Sequence, residues 1–101
     1  MVFAHQKYLS GAAEYLLFMW QMEDLVRAVN FDADALDGFI TTLTQEESQQ
    51  AEERKWFLEL IRDMKSEKIE KRGHLTALEE ILAELWIRAE IMEMMQEVRL
   101  H

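Results

Sequence analysis

The chain almost lacks the residues that end helices and form tight turns. Its 101 residues include no proline and only three glycines. Strands and tight turns rarely occur with so few of these residues, so their scarcity favours an all-α fold. The length fits one domain, and we predict a single helical domain over residues 1–101 with about four helices.

Short polar signals mark where these helices begin and end. Asp32 is a good N-cap, and Thr44 and Thr76 are each followed three residues later by a glutamate, which is the capping-box pattern. Gly73 is a natural C′ residue. Because all loops are then short, we expect a mostly antiparallel bundle. The predicted helices run from about Gln6 or Ser10 to Val29, from Ala33 to Leu43, from Gln45 to Lys71, and from Thr76 to the C-terminus.

The fourth predicted helix carries more large apolar side chains than one face can hold. One set recurs at spacings of four and three, like a coiled-coil seam: Leu78, Leu82, Leu85, Ala89 and Met92. A helix that is apolar on several sides is buried on several sides, and a small monomer has few elements to cover it. We therefore predict a homo-oligomer, with a dimer favoured. Its predicted interface contains Trp20, Trp86, Ile87, Ile91, Met94 and Met95.

The first predicted helix has two polar residues at the edge of its apolar arc. With 100° per residue, the arc centres on Phe18, Met22 and Leu25, and Glu14 and Gln21 lie beside it. A carboxylate buried without a partner is costly, so Glu14 needs one: Gln21, a basic residue of another helix, a ligand or a metal. A structural network that sets the helix register is one interpretation, a ligand-binding site is a second, and a third is that the helix is rotated and Glu14 is simply exposed.

The opposite face of this helix and one loop histidine offer further candidates. Glu23 and Arg27 are spaced as an i,i+4 ion pair, and Trp20 lies among charges, as interface anchors do. His74 caps a helix end or meets a carboxylate, or else it transfers protons or binds metal beside Glu70. We take Glu14, Gln21 and His74 as candidate ligand-binding residues, and we predict no catalytic residue, metal ligand or cofactor.

A basic cluster precedes the last helix, in a chain whose net charge is −9. Residues 54–73 hold seven basic and four acidic side chains, and the cluster comprises Lys65, Lys68, Lys71 and Arg72. Cations in the last turn of a helix complement its dipole, which is the simpler explanation, and binding of an anion is the alternative. The net charge argues against nucleic acid or anionic membranes as general partners.

Two further features of composition bear on location. No apolar run approaches the ~20 residues of a membrane span, so we predict no membrane partner. Cysteine is absent, which excludes disulfides and thiolate chemistry and suits a reducing compartment. We therefore expect a cytoplasmic protein.

Three segments resemble those of a known family. The segment AEYLLFMWQMEDLVRA, residues 13–28, is the most specific of them, and Trp56-Phe57 and Arg72-Gly73-His74-Leu75 support it. Together they span about three quarters of the chain, which resembles the N-terminal half of an uncharacterised, all-helical bacterial domain of unknown function. The resemblance implies a helical fold in a bacterial cytoplasm and transfers no catalytic residue. It also implies a further helical half, so that this chain is a short member or the N-terminal part of a longer fold.

These observations lead to two main functional hypotheses and to a third, a regulator that binds an anionic partner through residues 65–72. The first is a non-enzymatic interaction or oligomerisation module, because the apolar fourth helix lacks cover. The alternative is a helical bundle that binds a small ligand or a metal, with acid–base residues around Glu14 and His74.

Overall fold

The computed structural model describes residues 1–100, with the side chains of all but residues 3 and 98–100. These residues form five helices and no strand: α1 (Val2–Ser10), α2 (Ala12–Ala28), α3 (Ala33–Leu43), α4 (Glu47–Ser66) and α5 (Thr76–Leu100). The predicted all-α class is confirmed. The extra helix arises at Gly11, whose φ of 132° is open to glycine and strained for other residues. The first predicted helix is therefore two helices.

The predicted helix starts are correct for α3 and early for α4. Asp32 caps α3 as predicted, because its side chain accepts the Asp34 N–H at 2.9 Å. The N-cap of α4 is Glu46, so this helix begins two residues after the predicted start. Thr44 stabilises the turn before it, since its hydroxyl accepts the Glu46 N–H at 3.3 Å.

The end of α4 comes five residues before the predicted one. Lys68 adopts a left-handed conformation with φ of 59°. The Ile69 N–H donates to the Met64 carbonyl at 3.0 Å, and the Lys68 N–H donates to the Lys65 carbonyl at 3.1 Å. This pair of bonds is a Schellman motif, which normally has glycine at C′. The prediction that Gly73 ends the helix was wrong, and the packing of Met64 and Ile69 in the core explains the earlier stop.

The core is built around α2, which packs against α1, α4 and α5, while α3 packs against α4. Phe18 and Leu25, at the centre of the predicted arc, are only half-buried. The buried face is rotated from that arc by roughly a quarter of a turn. Because helices contact α2 on several sides, its apolar residues surround it and do not identify one face. Its buried residues are Leu16, Met19, Met22, Glu23 and Val26.

Among the side chains of α5 that the structure describes, those covered by the rest of the chain lie in its first part. Leu78 is buried, and Ile81 and Leu85 are half-buried against the core. From residue 86 to residue 97 every side chain is exposed. Within the described residues, no helix has the length and apolar character needed to cross a membrane.

Candidate functional site

One stripe of α2 holds the loop that leads into α5. Trp20, Glu23 and Arg27 are spaced by three and four residues, so they lie on one side of the helix. All three contact the segment from Ile69 to Leu75. We call this set of contacts the α2–loop junction. It joins two of the segments on which the family resemblance rests.

Glu23 is the centre of this junction and is completely buried. One of its carboxylate oxygens lies 2.7 Å from Nδ1 of His74. The other accepts the Leu75 N–H at 2.9 Å. Leu75 directly precedes α5, so its N–H belongs to a helix N-terminus, where amide donors lack intrahelical partners and a negative charge is favoured. Glu23 therefore caps a helix that lies 52 residues further along the chain.

A second carboxylate caps the same helix from outside. Glu67 accepts the hydroxyl of Thr76 at 2.6 Å and the Thr76 N–H at 2.8 Å. These bonds, the hydroxyl first and the amide second, lower the pKa of Glu67. The predicted capping box at Thr76 is therefore replaced by a cap from the preceding loop. Thr76 donates its hydroxyl instead of accepting an amide from its own helix.

Arg27 binds the backbone of the loop. Its Nε and Nη2 donate to the Ile69 carbonyl at 3.2 and 3.0 Å, and Nη2 also donates to the Gly73 carbonyl. Its Nη1 pairs with Asp24 at 3.2 Å. The predicted pair between Glu23 and Arg27 does not form, because Glu23 is directed at the start of α5. These two carbonyls lie in the loop after the end of α4, and Arg27 donates hydrogen bonds to them.

His74 is held by Glu23 and by an aromatic ring. The rings of His74 and Trp20 lie 4.9 Å apart at an angle of 31°. Trp20 is thus packed within the chain, and its indole N–H is buried without a hydrogen-bond partner. An imidazole oriented by a carboxylate is a group suited to proton transfer. The predicted neighbour Glu70 is not the carboxylate that His74 contacts; Glu23 is.

The two other candidate ligand residues lie outside this junction. The Glu14 side chain is 57% exposed, and it pairs with Lys7 at 3.5 Å. Gln21 is also exposed. The interpretations that place Glu14 at the core were wrong; the buried face of α2 is rotated toward Glu23, as in the third interpretation, and Glu14 is exposed. Glu14 and Glu23 are separated by about 13 Å along the helix axis.

The basic cluster is exposed, and its members have different local roles. Lys65 lies in the last turn of α4, where a cation complements the helix dipole, and its Nζ is 5.7 Å from the centre of the Phe31 ring. Lys68 occupies the left-handed position that ends α4. Lys71 and Arg72 lie in the loop. Anion binding by this cluster stays a prediction.

Sequence reasoning missed the joint role of Glu23 and Arg27. The available signal was the spacing of Trp20, Glu23 and Arg27 on one stripe, together with a Gly-His-Leu loop before an apolar helix. Among the described residues, no group of three or more histidine, aspartate or glutamate side chains is placed to hold a metal ion.

Comparison with known proteins gives one match. The model of a family described as a domain of unknown function, DUF4924, matches residues 1–99. This match extends beyond the three quarters of the chain on which the resemblance rested, to include most of α5. No curated protein and no solved structure matches the chain.

Proposed function

The chain belongs to the DUF4924 family, a domain of unknown function, and we propose that it is a non-enzymatic interaction module that pairs with a second copy of itself through α5. The observation that carries this proposal is the exposure of large apolar side chains along one helix. Seven of them are exposed between residues 82 and 95. They are Leu82, Trp86, Ile87, Ile91, Met92, Met94 and Met95.

The arrangement of these residues supports a helix-to-helix contact. Ile87, Ile91 and Met94 follow one another at spacings of four and three, which is the spacing of a coiled-coil seam. On a helical wheel they lie roughly 160° from Leu78 and Leu85, which face the core. We call the surface of Ile87, Ile91, Met94 and Met95 the outer face of α5. It is a second apolar side, separate from the one that contacts α2.

The size of this apolar surface is appropriate for a dimer. Single exposed apolar residues are ordinary, but a contiguous patch indicates an interaction site. The four side chains of the outer face are each about half exposed or more and present on the order of a few hundred Å² of apolar surface, a substantial part of the roughly 800 Å² that each partner buries in a standard interface. A two-fold pair uses the same patch on both subunits, so one exposed face of this kind can serve both copies.

Charge favours an antiparallel pair over a parallel one. Residues 84–100 of α5 carry four glutamates, Glu84, Glu90, Glu93 and Glu97, against two arginines, Arg88 and Arg99. A parallel pair would align these carboxylates with their own copies. An antiparallel pair offsets these carboxylates from their own copies and brings the C-terminal glutamates of each α5 toward the end of the other α5 that follows the basic cluster, and such complementarity helps to determine orientation.

Mutation of the outer face tests this proposal. We expect the wild-type protein to sediment, at tens of micromolar, with twice the chain mass of 12.0 kDa. Ile91→Glu places a charge in the seam and should give a monomer with unchanged helix content by circular dichroism. Leu58→Glu is the matched control, since Leu58 is an exposed leucine of α4, and it should remain dimeric. A monomeric wild-type protein at high micromolar concentration would refute the proposal, as would equal dissociation by both variants.

The contacts of the α2–loop junction support a structural role in the same proposal. Both oxygens of Glu23 are engaged, one with His74 and one with the start of α5, and Arg27 binds the loop carbonyls. These contacts determine where α5 begins and hence how its outer face is presented. As part of the proposal we place the protein in a bacterial cytoplasm, with no nucleic-acid partner. The absence of cysteine and the net charge of −9 are compatible with that setting.

A further inference from the structure

A second buried carboxylate, Glu53 of α4, lacks the compensation that Glu23 has. Glu53 is only 2% exposed. One oxygen, Oε1, accepts a hydrogen bond from Nε2 of Gln49 at 2.9 Å and another from the Val2 N–H at 3.3 Å. The other oxygen, Oε2, is buried and has no hydrogen-bond partner. Both donors to Glu53 are neutral, whereas a buried carboxylate is stable when a cation or several donors compensate its charge.

A cavity of about 300 Å³ opens beside this carboxylate. Its wall combines apolar side chains with a second carboxylate, that of Glu46, and it contains no lysine, arginine or histidine. An occupant of this cavity would lie against two carboxylates with no cation beside them, so it would be favoured if it donated hydrogen bonds and carried positive charge. The lining residues are Val2, Leu43, Thr44, Glu46, Gln49 and Glu53.

The composition of this wall narrows the class of ligand. Among the described residues there is no cluster of three metal-binding side chains, so the lining suits an organic cation better than a metal ion. A primary ammonium has three donors and a positive charge, which suit the carboxylates of Glu53 and Glu46 that line the cavity. Val2 and Leu43 offer apolar surface for a short alkyl chain. We infer that this pocket is a binding site for a small alkylammonium ligand, held by Glu53 and Glu46 between the start of α1 and the start of α4.

Titration with n-butylammonium chloride tests this inference, with n-butanol as the neutral probe of similar size. Amide chemical shifts in ¹⁵N–¹H NMR spectra should change saturably at Val2, Leu43 and Gln49 with butylammonium. Butanol should bind at least tenfold more weakly. Equal binding of the two probes, or no saturable change with butylammonium, would overturn the inference.

Variants separate the site from general charge effects. Glu53→Gln should weaken butylammonium binding at least tenfold, and it should melt no lower than the wild type because it removes a charge that the chain does not compensate. Glu52→Gln, an exposed neighbour with the same charge change, should leave binding unchanged. Glu46→Gln should also weaken binding, and it tests the site even if Glu53→Gln does not fold. The assignment would be contradicted if Glu52→Gln weakened butylammonium binding as much as Glu53→Gln does. It would also be contradicted if Glu53→Gln lowered the melting temperature while Glu46→Gln still bound butylammonium.

Discussion

The strongest structural prediction concerns Glu23→Ala. The substitution removes the acceptor for two groups at the start of α5, the Leu75 N–H and the His74 ring nitrogen. A hydrogen bond to a charged group is worth about 1.5–3 kcal/mol, and the bond to His74 lies at the lower end of that range because the His74 side chain is 38% exposed. We therefore expect the free energy of unfolding to fall by about 3–5 kcal/mol. That is a large share of the roughly 5–15 kcal/mol typical of a small domain.

Urea unfolding followed by circular dichroism at 222 nm measures this loss. Asp24→Ala is the matched control, because Asp24 is an adjacent, exposed carboxylate, and it should cost no more than about 1 kcal/mol. A double-mutant cycle with His74→Ala should give a coupling energy within the ~0.5–3 kcal/mol range of contacting residues. The capping role of Glu23 would be refuted by a loss of less than about 1 kcal/mol in Glu23→Ala, or by equal losses in the two alanine variants.

Two further predictions concern the loop before α5. Lys68→Gly should raise the free energy of unfolding, measured with urea, by about 0.5–1 kcal/mol, because glycine adopts the left-handed conformation at this position without strain. Lys65→Gly, inside α4, is the control and should lower the free energy of unfolding. Stabilisation by both substitutions would refute the reasoning. Hydrogen bonds from Thr76 lower the pKa of Glu67 from its ordinary value of 4.5. The stabilisation that ionised Glu67 provides is therefore complete above pH 4.5, and it is lost as the pH falls through the lowered pKa. Wild type should thus be more stable than Glu67→Gln at pH 7, with a difference that shrinks below pH 4.5 in urea titrations; a constant difference would contradict this role.

The position of α2 illustrates a limit of wheel-based prediction. Its residues are apolar in almost every direction, since α1, α4 and α5 all pack against it. A wheel then gives a broad arc whose centre is poorly determined. The predicted centre placed Glu14 at the core edge, whereas the structure buries Glu23 and leaves Glu14 in contact with Lys7.

The sequence by itself determined the features that depend on neighbouring residues. The lack of helix-breaking residues predicted the all-α class, and Asp32 predicted the start of α3, because a cap and its amide lie within one turn. The excess of apolar residues on α5 predicted more than one apolar side, and Trp86, Ile87, Ile91, Met94 and Met95 are indeed exposed. Their role in an interface stays a prediction.

Only the tertiary structure decided which polar residues are buried. Glu23 is stable in the core because Leu75, 52 residues later and just before α5, supplies its amide donor, and Arg27 binds carbonyls of a distant loop. The burial of Glu53 likewise depends on α1 packing beside the start of α4. The cost of burying a carboxylate is set by partners in space. Local sequence patterns can therefore place the helices, whereas the fold determines which charges they bury.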